Sequence, residues 1–260
     1  MIITINGVTI HYEIYGEENS SFPTLLLLHG WMASIPAMAP IWQYFQRTRK
    51  VVVLDFPGQG GESGTLIEPW GIPEYSQMVK ELMEQLQIKK PDVIGHSFGG
   101  RVIIYLASHY PELFHQIVLT DAAGLKAKFS FARWFRIKSF KMGKFLLKRV
   151  TKGEEEYQRR LKKLRAKYGS SDYASLTSDV MRQTFQKVVQ LDLKENLKKI
   201  QNPCLLMWGE KDEVTPLYMA RTMEKEIKDS GLVVLKDAGH FSYIDSAQEY
   251  NIIVEKFLGG

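Results

Sequence analysis

Short runs of consecutive apolar residues recur along the chain, and stretches with helical spacing of apolar residues separate them. Runs without alternation are typical of strands in a parallel sheet that is covered on both faces. The runs lie at Thr24–Leu28, Val51–Leu54, Asp92–Gly95, Ile117–Leu119, Cys204–Met207 and Leu232–Leu235. Between them, stretches such as residues 74–86 repeat apolar positions as a helix with one buried face does. This alternation predicts a doubly wound α/β sheet with functional loops at the carboxyl ends of its strands.

The alternation stops in the middle of the chain, over residues 125–193. This stretch contains no strand-like run and has a helical composition throughout, and the strand pattern resumes at Pro203. A helical insertion in one sheet explains this break more simply than a second independent domain. We therefore predict a core domain formed by residues 1–124 and 194–260, with residues 125–193 as an inserted helical segment.

Length and composition place the chain among ordinary globular proteins. Its 260 residues are 45% apolar and 24% charged, which argues against a disordered or fibrous chain. The single cysteine, Cys204, excludes an internal disulfide and fits a reducing compartment. No apolar run reaches the roughly 18 residues that a membrane-spanning helix needs. Residues 1–7 indicate a strand that enters an Asn-Gly turn and not a signal peptide, so we expect a soluble cytoplasmic protein.

One segment carries the pattern of a nucleophilic serine. Residues 95–99 have the sequence Gly-His-Ser-Phe-Gly and lie between a strand-like run and a helical stretch that starts at Gly100. In this context a Gly-x-Ser-x-Gly sequence forms a sharp strand-to-helix turn that exposes the serine hydroxyl. The helix N-terminus behind the turn offers free N–H groups to a developing anion. Ser97 is therefore the candidate nucleophile.

A serine nucleophile needs a base, and the base needs an acid that orients it. Among the six histidines, His240 directly follows the last apolar run and should lie at the catalytic end of the sheet. Asp212 follows the preceding run and stands 28 residues before His240 and 115 residues after Ser97. The resulting chain order, Ser-Asp-His, is the order of an α/β-hydrolase triad. We predict Ser97, Asp212 and His240 as the catalytic residues.

Other residues compete for the acid and base roles. Glu210 and Glu213 are neighbours of the predicted acid, and we interpret them as solvated loop charges. Asp121 follows a different strand and is a second position for the acid, although we interpret it as a loop-capping residue. His29 ends a strand, where a structural hydrogen bond is the expected role.

These segments together resemble the α/β-hydrolase fold superfamily over nearly the whole chain. The matching segments are His29-Gly30-Trp31, residues 55–60, the serine turn, residues 209–212 and Gly239-His240. The resemblance implies a mostly parallel eight-stranded sheet with helices on both faces and a helical lid at the insertion. It also implies an oxyanion hole formed by the backbone N–H groups of Phe98 and Trp31, with Met32 as the alternative to Trp31.

The sequence argues against several other kinds of chemistry. Relatives that hydrolyse epoxides or carbon–halogen bonds carry aspartate at the position of Ser97. No His-Glu-x-x-His or paired-cysteine spacing indicates a metal site. Residues 58–63 nearly match a dinucleotide fingerprint but lack its third glycine, and no phosphate-binding Gly-x-x-x-x-Gly-Lys sequence occurs. We therefore expect no metal and no cofactor.

The insertion is strongly basic and rich in aromatic residues. Residues 126–168 contain sixteen lysines and arginines against three glutamates, a net charge of +13, while the remainder of the chain carries −8. A lid with an apolar face on the cleft and a solvated basic face is the interpretation we favour. Binding to an anionic membrane surface and selection of an anionic substrate are alternatives. Nucleic-acid binding is disfavoured because no nucleic-acid motif accompanies the charge.

The predicted function is hydrolysis of small to medium acyl esters through an acyl-enzyme. Trp134 and Phe135 in the insertion and Phe241 beside the base are predicted to bind the substrate. Two alternatives use the same triad. One is hydrolysis of a carbon–carbon bond beside a ketone, and the other is a ligand-receptor or signalling role with slow turnover. The expected partner is a small ester, with weak binding to an anionic membrane as an additional expectation and no nucleic acid.

Overall fold

All six apolar runs form strands of one sheet. The computed structural model describes residues 1–18, 21–127, 131–151, 153–168, 176 and 178–259. Its eight-stranded sheet has the order β1-β2-β4-β3-β5-β6-β7-β8. The strands are β1 (Ile2–Ile5), β2 (Val8–Tyr15), β3 (Leu25–Leu28), β4 (Val51–Leu54), β5 (Asp92–His96), β6 (Ile117–Thr120), β7 (Cys204–Gly209) and β8 (Ser230–Leu235). The predicted α/β class with a single eight-stranded sheet is confirmed.

The first two strands differ from the rest in direction. Strand β1 pairs antiparallel with β2, and β2 pairs antiparallel with β4. Every other pairing in the sheet is parallel, so the carboxyl ends of β3 to β8 lie along one edge. This edge is where an open α/β sheet binds its ligands.

Helices connect the strands and cover both faces of the sheet. They are α1 (Ala39–Phe45), α2 (Ile72–Gln85), α3 (Phe98–His109), α4 (Phe131–Val150), α5 (Glu154–Tyr168), α6 (Asp179–Gln190), α7 (Lys194–Leu197), α8 (Leu217–Glu226), α9 (Ser242–Asp245) and α10 (Ala247–Phe257). No helix in the described part of the chain is long and apolar enough to cross a membrane.

The central strands are apolar at every position because both of their faces are buried. In β3, Leu26 and Leu28 belong to the larger apolar cluster, which contains residues of α2 and α3. Leu25 and Leu27 belong to the second cluster, which contains residues of α1 and α10. Successive side chains of a strand point to opposite faces, so a run of four leucines supplies both cores.

The described residues between β6 and β7 form helices and connecting turns without a strand, as the composition predicted. Helices α4 and α5 pack against each other, and Gly143 lets α4 approach Leu164 closely. Helix α6 lies against the core, where Met181 and Val188 join the larger apolar cluster. The boundaries at residues 125 and 193, and the placement of a lid over the site, stay predictions.

Candidate active site

Ser97 occupies a strained turn between β5 and α3. Its backbone has φ 49° and ψ −104°, a conformation that residues other than glycine adopt at a cost of roughly 1–3 kcal/mol. The flanking glycines are required by space, since a Cβ at Gly95 would lie 2.7 Å from the backbone nitrogen of Gly100. A Cβ at Gly99 would collide with the carbonyl group of Leu28. The turn therefore holds the serine where the sheet edge and the helix N-terminus meet.

The structure brings the three predicted catalytic residues into one hydrogen-bonded chain. His240 Nε2 lies 3.0 Å from Ser97 Oγ, and His240 Nδ1 lies 2.9 Å from Asp212 Oδ2. A protonated Nδ1 donates to the carboxylate and leaves Nε2 free to accept from the serine hydroxyl. This is the tautomer that a general base needs.

Asp212 is held as a charged acceptor in a buried position. Burial alone would raise its pKa, but hydrogen bonds from His240 and Thr215 outweigh burial, and the pKa lies below its ordinary value. Oδ1 accepts from the backbone N–H groups of Val214 at 2.8 Å and Thr215 at 2.9 Å. Oδ2 also accepts from the Thr215 hydroxyl at 2.6 Å. The carboxylate is therefore both ionised and fixed in direction.

Two backbone donors remain open beside the serine. Within the described residues, neither the N–H of Phe98 nor that of Trp31 has an acceptor. Phe98 is the first residue of α3, and the Gly30 backbone lies against the serine, since a Cβ at Gly30 would be 3.5 Å from Ser97 Cβ. The alternative donor, the N–H of Met32, instead donates to the side chain of Gln59 at 3.3 Å. The pair of open donors is thus the one that the family resemblance implied.

The predicted substrate-binding residues have different surroundings. The Phe241 ring lies 5.6 Å from that of His240 and is 45% exposed. Phe135 is 68% exposed, which is the exposure of an outward-facing residue on α4. Trp134 lies in α4, but its side chain is outside the described residues. The assignment of these three residues to a substrate pocket stays a prediction.

Asp121 has the loop-capping role that the sequence suggested. Its Oδ1 accepts from the N–H of Gly209 at 2.8 Å, and its Oδ2 accepts from the N–H and hydroxyl of Ser242 at 3.1 and 2.5 Å. Burial raises its pKa to about 7. Asp121 therefore joins the end of β7 to the segment that follows His240, while Asp212 contacts the imidazole.

His29 is also structural, as predicted. Its Nε2 accepts from the N–H of Phe56 at 2.9 Å, and its Nδ1 donates to the carbonyl oxygen of Gly30 at 2.7 Å. Burial lowers its pKa to about 4, so the ring is neutral. Its hydrogen bonds shape the loop that presents the N–H of Trp31.

Three residues of the site were not predicted from the sequence. His96 donates from Nε2 to the carbonyl oxygen of His240 at 2.8 Å, and burial lowers its pKa to about 3. Thr215 orients Asp212, and its position three residues after an aspartate is the local signal for such a turn. Phe185 of α6 lies 5.3 Å from the ring of Trp31, which itself lies 5.5 Å from Phe98. No sequence signal connects Phe185 with this aromatic group.

Comparison with known proteins gives matches along the whole chain. Residues 23–247 match the sequence model of the alpha/beta hydrolase fold family. Pimeloyl-[acyl-carrier protein] methyl ester esterase of Neisseria meningitidis is 26% identical, with 94% of this chain and 98% of the esterase covered. The 3-oxoadipate enol-lactonase 2 of Acinetobacter baylyi is also 26% identical, with 98% and 95% covered. The crystal structure of the enol-lactonase from Burkholderia xenovorans LB400 matches with a TM-score of 0.76 and 22% identity over 100% of both chains.

Proposed function

This chain belongs to the α/β-hydrolase fold family, and on that premise we propose that it hydrolyses carboxylic esters of small to medium acyl chains. The observation that carries the proposal is the hydrogen-bonded chain from Ser97 Oγ through His240 to Asp212, with distances of 3.0 and 2.9 Å. The relatives named as an esterase and an enol-lactonase, both 26% identical, support an ester bond as the target.

In the first half of the reaction, Ser97 Oγ attacks the ester carbonyl carbon while His240 Nε2 takes the hydroxyl proton. The carbonyl oxygen becomes an oxyanion, which the N–H groups of Phe98 and Trp31 stabilise; loss of one such donor costs about 10²–10³-fold in rate. The tetrahedral intermediate then collapses, the bond to the alcohol oxygen breaks, and His240 returns the proton to the departing alcohol. The acyl group stays on Ser97 as an ester.

In the second half, water replaces the alcohol. His240 takes a proton from the water as its oxygen attacks the acyl-enzyme carbonyl, and the same two N–H groups hold the second oxyanion. Collapse releases the carboxylic acid and returns the proton to Ser97. Throughout, the Asp212 carboxylate keeps the imidazole in one tautomer and stabilises the imidazolium that forms twice in each cycle.

The proposed acyl side of the site is aromatic. Trp31, Phe98 and Phe185 form a contiguous wall, with ring centroids 5.5 and 5.3 Å apart at the two contacts. An apolar wall favours an acyl chain because each buried methylene contributes about 0.8 kcal/mol. Phe185 belongs to α6 and Trp31 to the loop after β3, so the insertion and the core would select the substrate together.

The direct test is steady-state hydrolysis of a series of p-nitrophenyl esters from acetate to decanoate. The proposal expects many turnovers per enzyme molecule, with a preference that rises and then falls along the series. A vinylogous diketone is the comparison substrate, because faster cleavage of its carbon–carbon bond would contradict the ester assignment. A single turnover followed by tight retention of the ligand would instead favour the receptor role.

A further inference from the structure

Helix α4 presents a row of large apolar side chains to solvent. Phe135, Met142, Phe145 and Leu146 are 68%, 59%, 51% and 50% exposed, and we call these four residues the α4 patch. At 3.6 residues per turn they fall within about 100° of the helix circumference. The helix already has a packed side, where Gly143 meets Leu164 of α5. The α4 patch is therefore a second apolar face without a partner in the described part of the chain.

Positive charges accompany the α4 patch. Helix α4 contains seven lysines and arginines and no acidic residue. Lys141, Lys144 and Lys148 are exposed and occupy about 60° of the circumference beside the patch. The guanidinium of Arg149 lies 4.2 Å from the centre of the Phe145 ring. The surface thus combines bulky apolar groups with cations whose long stems keep their charges in water.

This combination identifies the class of partner. Exposed apolar patches with a polar border mark interaction sites, and a partner of this one must offer both negative charge and an apolar phase. An anionic phospholipid surface offers both, because its headgroups attract the lysines and its acyl chains accept the aromatic and aliphatic groups. Nucleic acid supplies the charge but leaves most of the apolar surface exposed to water.

We propose that the α4 patch and its three neighbouring lysines bind the surface of an anionic phospholipid bilayer, with the axis of α4 parallel to the membrane plane. Phe135 then inserts among lipid chains, which replaces its predicted role in the substrate pocket. The membrane site uses no residue of the proposed triad. Its test is therefore independent of whether the protein hydrolyses esters.

The experiment measures cosedimentation of the full chain with phosphatidylcholine vesicles, with and without phosphatidylglycerol. The unaltered protein is expected to bind the anionic vesicles only, and to be released in about 1 M salt, where the Debye length falls to about 3 Å. The triple variant Lys141→Gln, Lys144→Gln, Lys148→Gln should bind about 10²-fold more weakly, because each basic residue at an anionic surface contributes about a factor of five.

A matched variant separates this site from overall charge. Lys225, Lys228 and Lys236 are exposed and lie on or near α8 and β8, and changing all three to glutamine lowers the net charge by the same amount. This control is expected to bind as the unaltered protein does. Equal losses in the two triple variants would overturn the proposal, because binding would then follow net charge and not the α4 surface.

The apolar half of the site has its own variant pair. Met142→Gln with Leu146→Gln should weaken vesicle binding about tenfold, since two half-exposed side chains lose their transfer to lipid. Ile67→Gln with Ile252→Gln, at two other exposed positions, should have no effect. A third outcome would also overturn the proposal. If the lysine variant loses vesicle binding, the apolar variant keeps it, and polyglutamate displaces the unaltered protein from the vesicles, the site would bind an acidic protein and not a membrane. Absence of binding by the unaltered protein would also overturn the proposal.

Discussion

At the scale of single residues, Ser97 combines a strained backbone with a hydroxyl that contacts His240. Replacing Ser97 with alanine removes the proposed nucleophile while keeping a residue of similar size in the turn. We expect ester hydrolysis to fall by at least about 10³-fold, with an unchanged circular dichroism spectrum and melting temperature. Ser108, which is buried in α3 outside the site, provides the matched Ser→Ala control. A folded Ser97→Ala protein with substantial activity would refute the nucleophile assignment.

The two buried aspartates at the sheet edge should respond differently to the same substitution. Asp212→Asn keeps the size of the side chain but removes the charge that holds the imidazole tautomer, so kcat should fall by about 10⁴-fold. In Asp121→Asn, the side-chain oxygen can accept from only one of the backbone N–H groups of Gly209 and Ser242, and the side-chain NH2 group faces the other. The buried N–H group without an acceptor should cost about 1–3 kcal/mol of stability. Its effect on kcat should be far smaller. A reversed order of the two kcat values would move the acid role to Asp121.

Asp121 also predicts a pH dependence of stability. Its pKa is about 7 in the folded protein and about 3.9 in an unfolded chain. Between these values the folded state holds a proton that the unfolded state has lost, so the free energy of unfolding falls as the pH rises from about 4 to about 7. Asp121→Asn removes this contribution. Urea unfolding at several pH values measures the difference in the free energy of unfolding between the wild-type protein and the variant. This difference should change in favour of the variant as the pH rises toward 7, and a difference that is constant with pH would contradict the raised pKa.

At the scale of elements, a buried ion pair connects the loop before β4 to the start of β5. Arg49 Nη1 lies 2.8 Å from Asp92 Oδ2, and both side chains are almost completely buried. Arg49 also donates to the carbonyl oxygen of Leu258 at 3.2 Å, and His115 Nδ1 lies 2.8 Å from Asp92 Oδ1. The pair and its hydrogen bonds therefore join four parts of the chain at the end of the sheet opposite the site.

Breaking this pair should destabilise the fold without changing the chemistry. Arg49→Met leaves the Asp92 carboxylate buried without its guanidinium, and loss of one partner of a buried pair costs about 3–5 kcal/mol. Arg47→Met, at an exposed position two residues earlier, should change stability by less than about 0.5 kcal/mol. Chemical denaturation of both variants measures the difference. Similar denaturation midpoints for the two variants would show that solvent or His115 stabilises the Asp92 carboxylate when Arg49 is absent.

At the scale of the whole molecule, α6 of the predicted insertion meets the rest of the fold at the rings of Phe185, Trp31 and Phe98. Arg101 of α3 fastens the end of α6 by donating to the carbonyl oxygens of Val188 and Leu191 at 3.0 and 2.5 Å. This attachment fixes the helix that carries Phe185 beside Trp31. Substrate selection is thus expected to depend on a contact between two segments that are far apart in the sequence.

The chain-length profile of ester hydrolysis tests this contact. If Phe185 forms part of the acyl wall, kcat/KM should rise by about fourfold per added methylene, the equivalent of about 0.8 kcal/mol, until the pocket is full. Phe185→Ala should flatten the profile and leave acetate esters less affected. Val189→Ala, at an exposed position on the same helix, should keep the wild-type profile. A Phe185→Ala enzyme with that same profile would exclude this residue from the acyl wall.

The sequence by itself determined the strands, the helical character of the described residues between β6 and β7, and the identity of the three residues in the hydrogen-bonded chain. Each of these features has a local cause. A run such as Leu25–Leu28 must be buried on both faces, and a Gly-x-Ser-x-Gly segment between a strand and a helix must turn sharply. The parallel arrangement then places the loops that carry Asp212 and His240 at one edge, although 28 residues separate them.

Only the tertiary structure decided which polar and aromatic groups support these residues. Asp121 and Asp212 both follow strands of the same sheet, and only their hydrogen bonds distinguish a loop cap from a partner of His240. The exposure of Phe135 and the contact of Phe185 with Trp31 likewise depend on how helices of the insertion pack. Apolar spacing along a helix shows that a face is apolar, but the same spacing fits a covered face and an open one. What covers a face is set by contacts between distant segments, which local sequence does not encode.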